Sequence, residues 1–227
     1  SNDVSGFIRV GNNKLTSKNS YEIVGDFSSA AFVIVATLIS KESKVVIKNV
    51  GLNPSRSGLI EILVRMGANI EIRNQKIICN EESGDIFVKS SSLNGIDVPE
   101  DIIPNIIDEI PILSIAAAFA KGTTSIKNAS ELRVKESDRL EAISDGLKKL
   151  NIKYEIFEDG ISITGTNDLI IVDEEINSFD DHRIAMSFLV AGIRAVNNIK
   201  VRDCKNIETS FPGFKDIMNS IGMKIDE

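Results

Sequence analysis

Three stretches of this chain follow one pattern, and that pattern limits the fold more than any other feature. They read GDFSSAAFVIVATLISKESKVVIKNV, IDEIPILSIAAAFAKGTTSIKNA and DDHRIAMSFLVAGIRAVNNIKVRDC. Each opens on an aspartate (Asp26, Asp108, Asp181) and continues into an apolar segment rich in small residues. A polar turn and a β-like stretch follow, ending in a basic residue beside Asn or Asp. A second helical pattern then closes on RMGANIEI, KLNIKYEI or SIGMKI. Asp26 to Gly67, Asp108 to Asn151 and Asp181 to Gly222 span about 41, 43 and 41 positions, a period that marks a repeated supersecondary unit. Each unit is expected to run helix, strand, helix, strand. KIICN (76–80), DIFVKS (85–90) and ISITG (161–165) read as additional strands, as do FIRVG and YEIVG ahead of the first helix.

Residues 30–39 and 112–120 are apolar nearly all round, the mark of a helix buried on every side. Together with 184–194 they are expected to form the centre, with sheets outside. The fold class is then α/β and barrel-like but inside out, with three helix-strand units that bury helices under outer sheets. At 227 residues and 42% hydrophobic content the chain can bury a substantial core. The stretch 90–96 reads as a loop, so 1–227 is read as a single domain. Ser1-Asn2 in place of a methionine resembles a tag remnant, which suggests a piece of a longer, two-domain protein.

A net charge of −7 argues against nonspecific nucleic-acid binding, so any cationic site must be local. No apolar run is long enough to span a membrane and the polar start has no signal-peptide pattern, which points to the cytoplasm. Cys79 and Cys204 lack metal-ligand or redox spacing and are expected to be reduced thiols.

The repeat also serves as an internal control. Asp26, Asp108 and Asp181 all stand where a helix N-cap belongs, so capping is their default role. Features confined to one unit are better functional candidates. RVKESDRL (133–140) sets Arg133, Lys135 and Arg139 beside Glu136 and Asp138, ahead of an apolar pattern at Leu140, Ile143, Leu147 and Leu150. That helix is expected to start near Glu136, with Lys135 and Arg139 sharing a face at its first turn. The third unit holds the one histidine, His182, with Arg183, at another helix start. A helix N-terminus carries partial positive charge, so cations there suggest an expected anion. The plainer alternative is that Glu136, Asp138 and Asp181 neutralise them in exposed ion pairs, each worth little. NVGLNPSRSG lacks the strand-GxxxxGK arrangement of a phosphate loop and reads as a turn into a helix, and no serine sits in a nucleophile elbow.

RVKESDRL, DDHRIAM, GDFSSAAF, AFAKGTT and SFPGF, in their relative positions, resemble the C-terminal portion of the EPSP synthase family of enolpyruvyl transferases, over nearly the whole chain. The resemblance implies transfer of the carboxyvinyl group of phosphoenolpyruvate to the 5-hydroxyl of shikimate 3-phosphate, with release of phosphate and no metal or cofactor. Arg139 and Arg183 would hold phosphoenolpyruvate and Lys135 would contact the shikimate phosphate or its bound intermediate. Asp108 would accept the hydroxyl proton, Glu136 would move a proton at the methylene carbon, and His182 would lie near the departing phosphate. Thr209 stands where the family often has a lysine, with Lys205 near in sequence, and Glu131 replaces a family asparagine. Family members are about twice this length, so the N-terminal domain of the same protein is an implied partner. Two alternatives remain: a domain that transfers enolpyruvate to UDP-N-acetylglucosamine, and a non-catalytic domain whose charges serve folding alone.

Overall fold

A computed structural model describes residue 11 and residues 20–226. Three helices form the centre: α1 (Phe27–Ile39), α3 (Ile110–Ala118) and α5 (His182–Ala191), the first helices of the three repeats. Every residue of α1 except Ser29 is buried, as is all of α3. These three helices pack on one another, and the small residues Ala116 to Ala118 and Ala185 let their backbones approach. The remaining elements are β1 (Lys44–Gly51), α2 (Gly58–Arg65), β2 (Asn69–Ile78), β3 (Glu81–Lys89), β4 (Thr123–Ile126), α4 (Arg139–Lys149), β5 (Lys153–Phe157), β6 (Gly160–Thr164), β7 (Ile176–Asn177), β8 (Val201–Arg202), α6 (Ile207–Ser210) and α7 (Phe214–Ser220).

The first two units build matching antiparallel sheets, in the orders β1-β3-β2 and β4-β6-β5. Their central strands bury equivalent apolar pairs. Ile86 and Val88 of β3 face Ile47 and Val45 on one side and Ile72 and Ile70 on the other. Ile161 and Ile163 of β6 stand likewise between Ile126 and Thr124 and between Ile156 and Tyr154. Period-two alternation sends these residues, Thr124 among them, inward onto the helices and leaves most polar ones outside. α4 closes over α5 at Gly146, where an added Cβ would lie 2.0 Å from the Phe188 ring.

Four sequence expectations need correction. KIICN is no separate strand: it is the far half of β2, joined across a bulge between Arg73 and Lys76 where Asn74 has φ of 52°. YEIVG forms no strand, and its backbone bonds β1 only through Gly25, whose N–H donates to the Asn49 carbonyl at 2.7 Å. Its alternation has no surface to cover, since Tyr21 and Ile23 remain 56% and 82% exposed. The third unit departs furthest. β7 and β8 pair in parallel as a two-stranded sheet, and the end of SIGMKI is held by the Asn219 side chain bonding the N–H and carbonyl of Ile225 instead of by a ladder. A cleft of about 420 Å³ opens there, lined by Ile193, Ile199, Met223 and Ile225 over Ala36 and Thr37 of α1. Finally, α5 ends at Ala191, and Gly192–Arg194 tightens into a 3-10 turn. FIRVG, apart from Gly11, lies outside the described residues.

Candidate active site at the starts of the central helices

The aligned aspartates do not share one role. Asp26 caps α1 by accepting from Ser29 N at 2.7 Å, and Asp181 caps α5 by accepting from Arg183 N and Ile184 N at 2.9 and 3.3 Å. Asp108 caps nothing. A 3-10 turn, Ile107–Glu109, delays the start of α3 to Ile110, and the carboxylate of Asp108 turns out towards cations instead. It lies 3.2 Å from Arg139 Nη1, 3.6 Å from Lys135 Nζ and 3.8 Å from Arg183 Nη2. Partial burial works to raise its pKa, but Arg183, Lys135 and Arg139 outweigh this and hold it below the usual aspartate value.

RVKESDRL folds differently from its expected form. A 3-10 turn spans Ser130–Val134, Lys135 is extended, and α4 begins only at Arg139, capped by Asp138 accepting from Glu141 N. Lys135 and Glu136 therefore precede the helix, and Lys135 and Arg139 share no helical face. They meet instead at the same oxygen of Asp108. Arg133 is structural: its guanidinium donates to the carbonyls of Phe157 and Glu158 at 2.8 and 2.7 Å, fastening this turn to the β5–β6 hairpin. Lys135 also binds Glu131, whose hydrogen bond, followed by the pull of Asp108, raises the lysine pKa against partial burial.

Arg139 is wholly buried. Its Nε donates to Asp181 Oδ2 at 2.8 Å, Nη1 to Asp108, and Nη2 to Glu136. Asp181 is buried as well. The exposed-ion-pair alternative therefore fails for this residue, because a buried guanidinium without partners would cost several kcal/mol. Arg183 projects from the first turn of α5. Its Nη1 donates to the Asp108 carbonyl at 2.9 Å and to Glu109 Oε1 at 3.1 Å. His182 is half-buried next to it. Desolvation, then the Arg183 charge, pulls the imidazole below its ordinary pKa despite Asp181 and Glu136, which favours the neutral ring. His182 and Arg183 line a hollow of about 300 Å³ with Asp26, Ser28, Ser210 and Phe211. Thr209 and Lys205 are exposed.

Lys135, Glu136, Arg139 and Arg183 thus gather around Asp108, with His182 beside Arg183 at one edge. Two buried carboxylates hold the group together: Asp181, expected as a cap and exposed ion-pair partner but buried against Arg139, and Glu109, which sequence reasoning passed over. The repeat could have exposed Glu109: the residue after the aligned aspartate is Phe27 in the first unit, His182 in the third, and this acid in the second.

The EPSP synthase (3-phosphoshikimate 1-carboxyvinyltransferase) family model matches residues 3–218. A protein of that name from Petrotoga mobilis is 51% identical over 199 residues, 88% of this chain and 46% of its own length. One from Coxiella burnetii strain RSA 493 is 47% identical over 207 residues, 91% of this chain and 47% of its own. A solved EPSP synthase from Acinetobacter baumannii superposes with a TM-score of 0.91 at 44% identity, covering 96% of this chain and 50% of that one. The enolpyruvyl transferase NikO from Streptomyces tendae, 15% identical with a TM-score of 0.69 over 90% of this chain and 44% of its own, shares the fold. The chain spans about half the length of the curated relatives it matches. With the family model matching nearly the whole chain and the fold shared with a solved member, the chain belongs to the EPSP synthase family.

Proposed function

We propose that this chain is the C-terminal half of an enzyme that moves the carboxyvinyl group of phosphoenolpyruvate onto the 5-hydroxyl of shikimate 3-phosphate and releases phosphate. The observation that carries the reading is the convergence of Lys135, Arg139 and Arg183 on Asp108. In the free site the three cations hold Asp108 ionised and weakly basic. An incoming carboxylate and phosphate compete for the two arginines, whose planar forks suit both groups. Negative charge arriving beside Asp108 raises its proton affinity as the shikimate hydroxyl approaches, which is what a general base requires. As the hydroxyl oxygen attacks the enol carbon, Asp108 takes its proton and Glu136, half-exposed at the rim, delivers a proton to the methylene carbon, which becomes a methyl group. In elimination Glu136 takes a proton back from that methyl group as the C–O bond to phosphate breaks, which returns the alkene and frees phosphate beside His182. Lys135 holds the shikimate phosphate.

The half-site has more negative than positive charge. Against three cations stand Asp108, Glu109, Glu136 and Asp181, with Glu131 on Lys135. Two polyanionic substrates need further cations, and the N-terminal half of the same protein is the partner that would bring them and close the site against water. We place the enzyme in the cytoplasm, a reading supported by the free thiols of Cys79 and Cys204.

The test is phosphate release from the two substrates, by this chain alone and after addition of the N-terminal half. Turnover is expected only with both halves. Full-rate turnover by the chain alone, or an Arg183→Met whole enzyme as active as the wild type, would overturn the reading.

A further inference from the structure

Glu109 is 2% exposed, yet its carboxylate stands at the start of the apolar helix α3 and caps nothing. One oxygen, Oε1, accepts two hydrogen bonds, from Ser28 Oγ at 2.6 Å and from Arg183 Nη1 at 3.1 Å. Ser28 Oγ in turn accepts from Arg56 Nη2 at 3.0 Å. Arg56 and Ser28 belong to the first repeat, Glu109 to the second and Arg183 to the third. A single polar chain therefore crosses all three units where their central helices begin.

We propose that Glu109, braced by Ser28, is a positioning residue that fixes the direction in which Arg183 offers its free N–H groups to an anionic substrate. Nη1 of Arg183 is fully used by the Asp108 carbonyl and Glu109, which leaves Nε and Nη2 for a ligand. Asp108, whose side chain is 32% exposed, offers the same guanidinium a competing contact at 3.8 Å. Without the buried anchor, the guanidinium would swing towards Asp108 and cover the base it should leave free. The two adjacent carboxylates divide the work: the exposed one faces the chemistry, and the buried one aims the arginine.

Burial raises the Glu109 pKa, against the Ser28 hydrogen bond and the Arg183 charge and with help from Asp108. Arg183 and Asp108 are the charged groups that face it, with Arg56 reaching it through Ser28.

This inference rests on Arg183 binding phosphoenolpyruvate, and the experiment separates the two claims. In the whole enzyme, KM for each substrate and kcat are measured for Glu109→Ala, Glu109→Gln, Ser28→Ala and Arg183→Met, with thermal unfolding alongside. Misaiming one arginine is expected to raise the phosphoenolpyruvate KM roughly tenfold in Glu109→Ala, with the shikimate 3-phosphate KM within about twofold. Glu109→Gln keeps an oxygen in place for both bonds and should restore most of the affinity. Ser28→Ala should move in the direction of Glu109→Ala, by less. Equal rises in both KM values, or an unchanged phosphoenolpyruvate KM in folded Glu109→Ala and Glu109→Gln enzymes, overturn the positioning role. If Arg183→Met itself leaves that KM unchanged, the underlying assignment fails instead.

Discussion

Arg139 Nε and Asp181 Oδ2 stand 2.8 Å apart, 42 residues distant in sequence, with neither side chain reached by solvent. This pair locks the first turn of α4 to the cap of α5. Removing one partner leaves the other charged and buried, so Asp181→Ala should cost about 3–5 kcal/mol in chemical denaturation. The double variant with Arg139→Met should be less destabilised than the sum of the two single changes. A loss below about 1 kcal/mol for Asp181→Ala would mean that water reaches the guanidinium.

Acid should weaken the fold in two stages with opposing help. His182 binds its proton less readily folded than unfolded, so stability falls as pH drops through the window below the ordinary histidine value. Asp108 has a depressed folded pKa, and its contribution is present above the unfolded aspartate value and lost as pH falls through the folded one. Glu109 runs the other way: with its folded pKa raised, it favours the folded state at low pH and loses that advantage as pH rises through the folded value. Asp108→Asn should flatten the most acidic limb of a stability-against-pH curve and leave the histidine stage unchanged. An unaltered curve would refute the assignment of that limb.

Gly146 to alanine tests whether sterics or helix propensity governs α4. Propensity alone predicts a gain of about 1 kcal/mol. The Phe188 ring, buried and 2.0 Å from the new Cβ, cannot give way without disturbing α5, so a net loss of about 1–3 kcal/mol is expected in denaturant titration. A stabilised variant would show that α4 and α5 can separate.

Arg133→Ala removes donors from the carbonyls of Phe157 and Glu158 and releases the turn that carries Lys135. The loss should be about 1–2 kcal/mol, because these groups are partly solvated. Amide exchange should speed up across 130–138 before it changes in α3. Uniform exchange would argue against a local fastening.

The centre of the fold was legible because helices apolar on every side leave one architecture open, and the repeat set their number. The site was legible as a cluster of residue types, but its internal geometry was not. Whether Asp108 caps a helix or turns towards the cations depends on one residue of delay at the start of α3, and capping preferences do not determine where a 3-10 turn intervenes. The burial of Arg139 depends on Asp181, a contact that no local pattern encodes. YEIVG and the end of SIGMKI alternate correctly, yet a strand exists only where a neighbour supplies the ladder, and alternation does not name the neighbour.

The two-stranded third sheet gives the molecule a gradient of cohesion. Units one and two each hold a central strand paired on both sides, whereas among the described residues β8 is paired on one edge only. The last repeat therefore has the fewest mutually supporting bonds and should open by local fluctuation at lower free energy than the other two. The edge of β8 left unpaired among the described residues is also a template for another extended chain. His182 and Arg183 sit at the head of this loosest unit, so their side of the cluster is the one whose rigidity depends most on what docks against that edge.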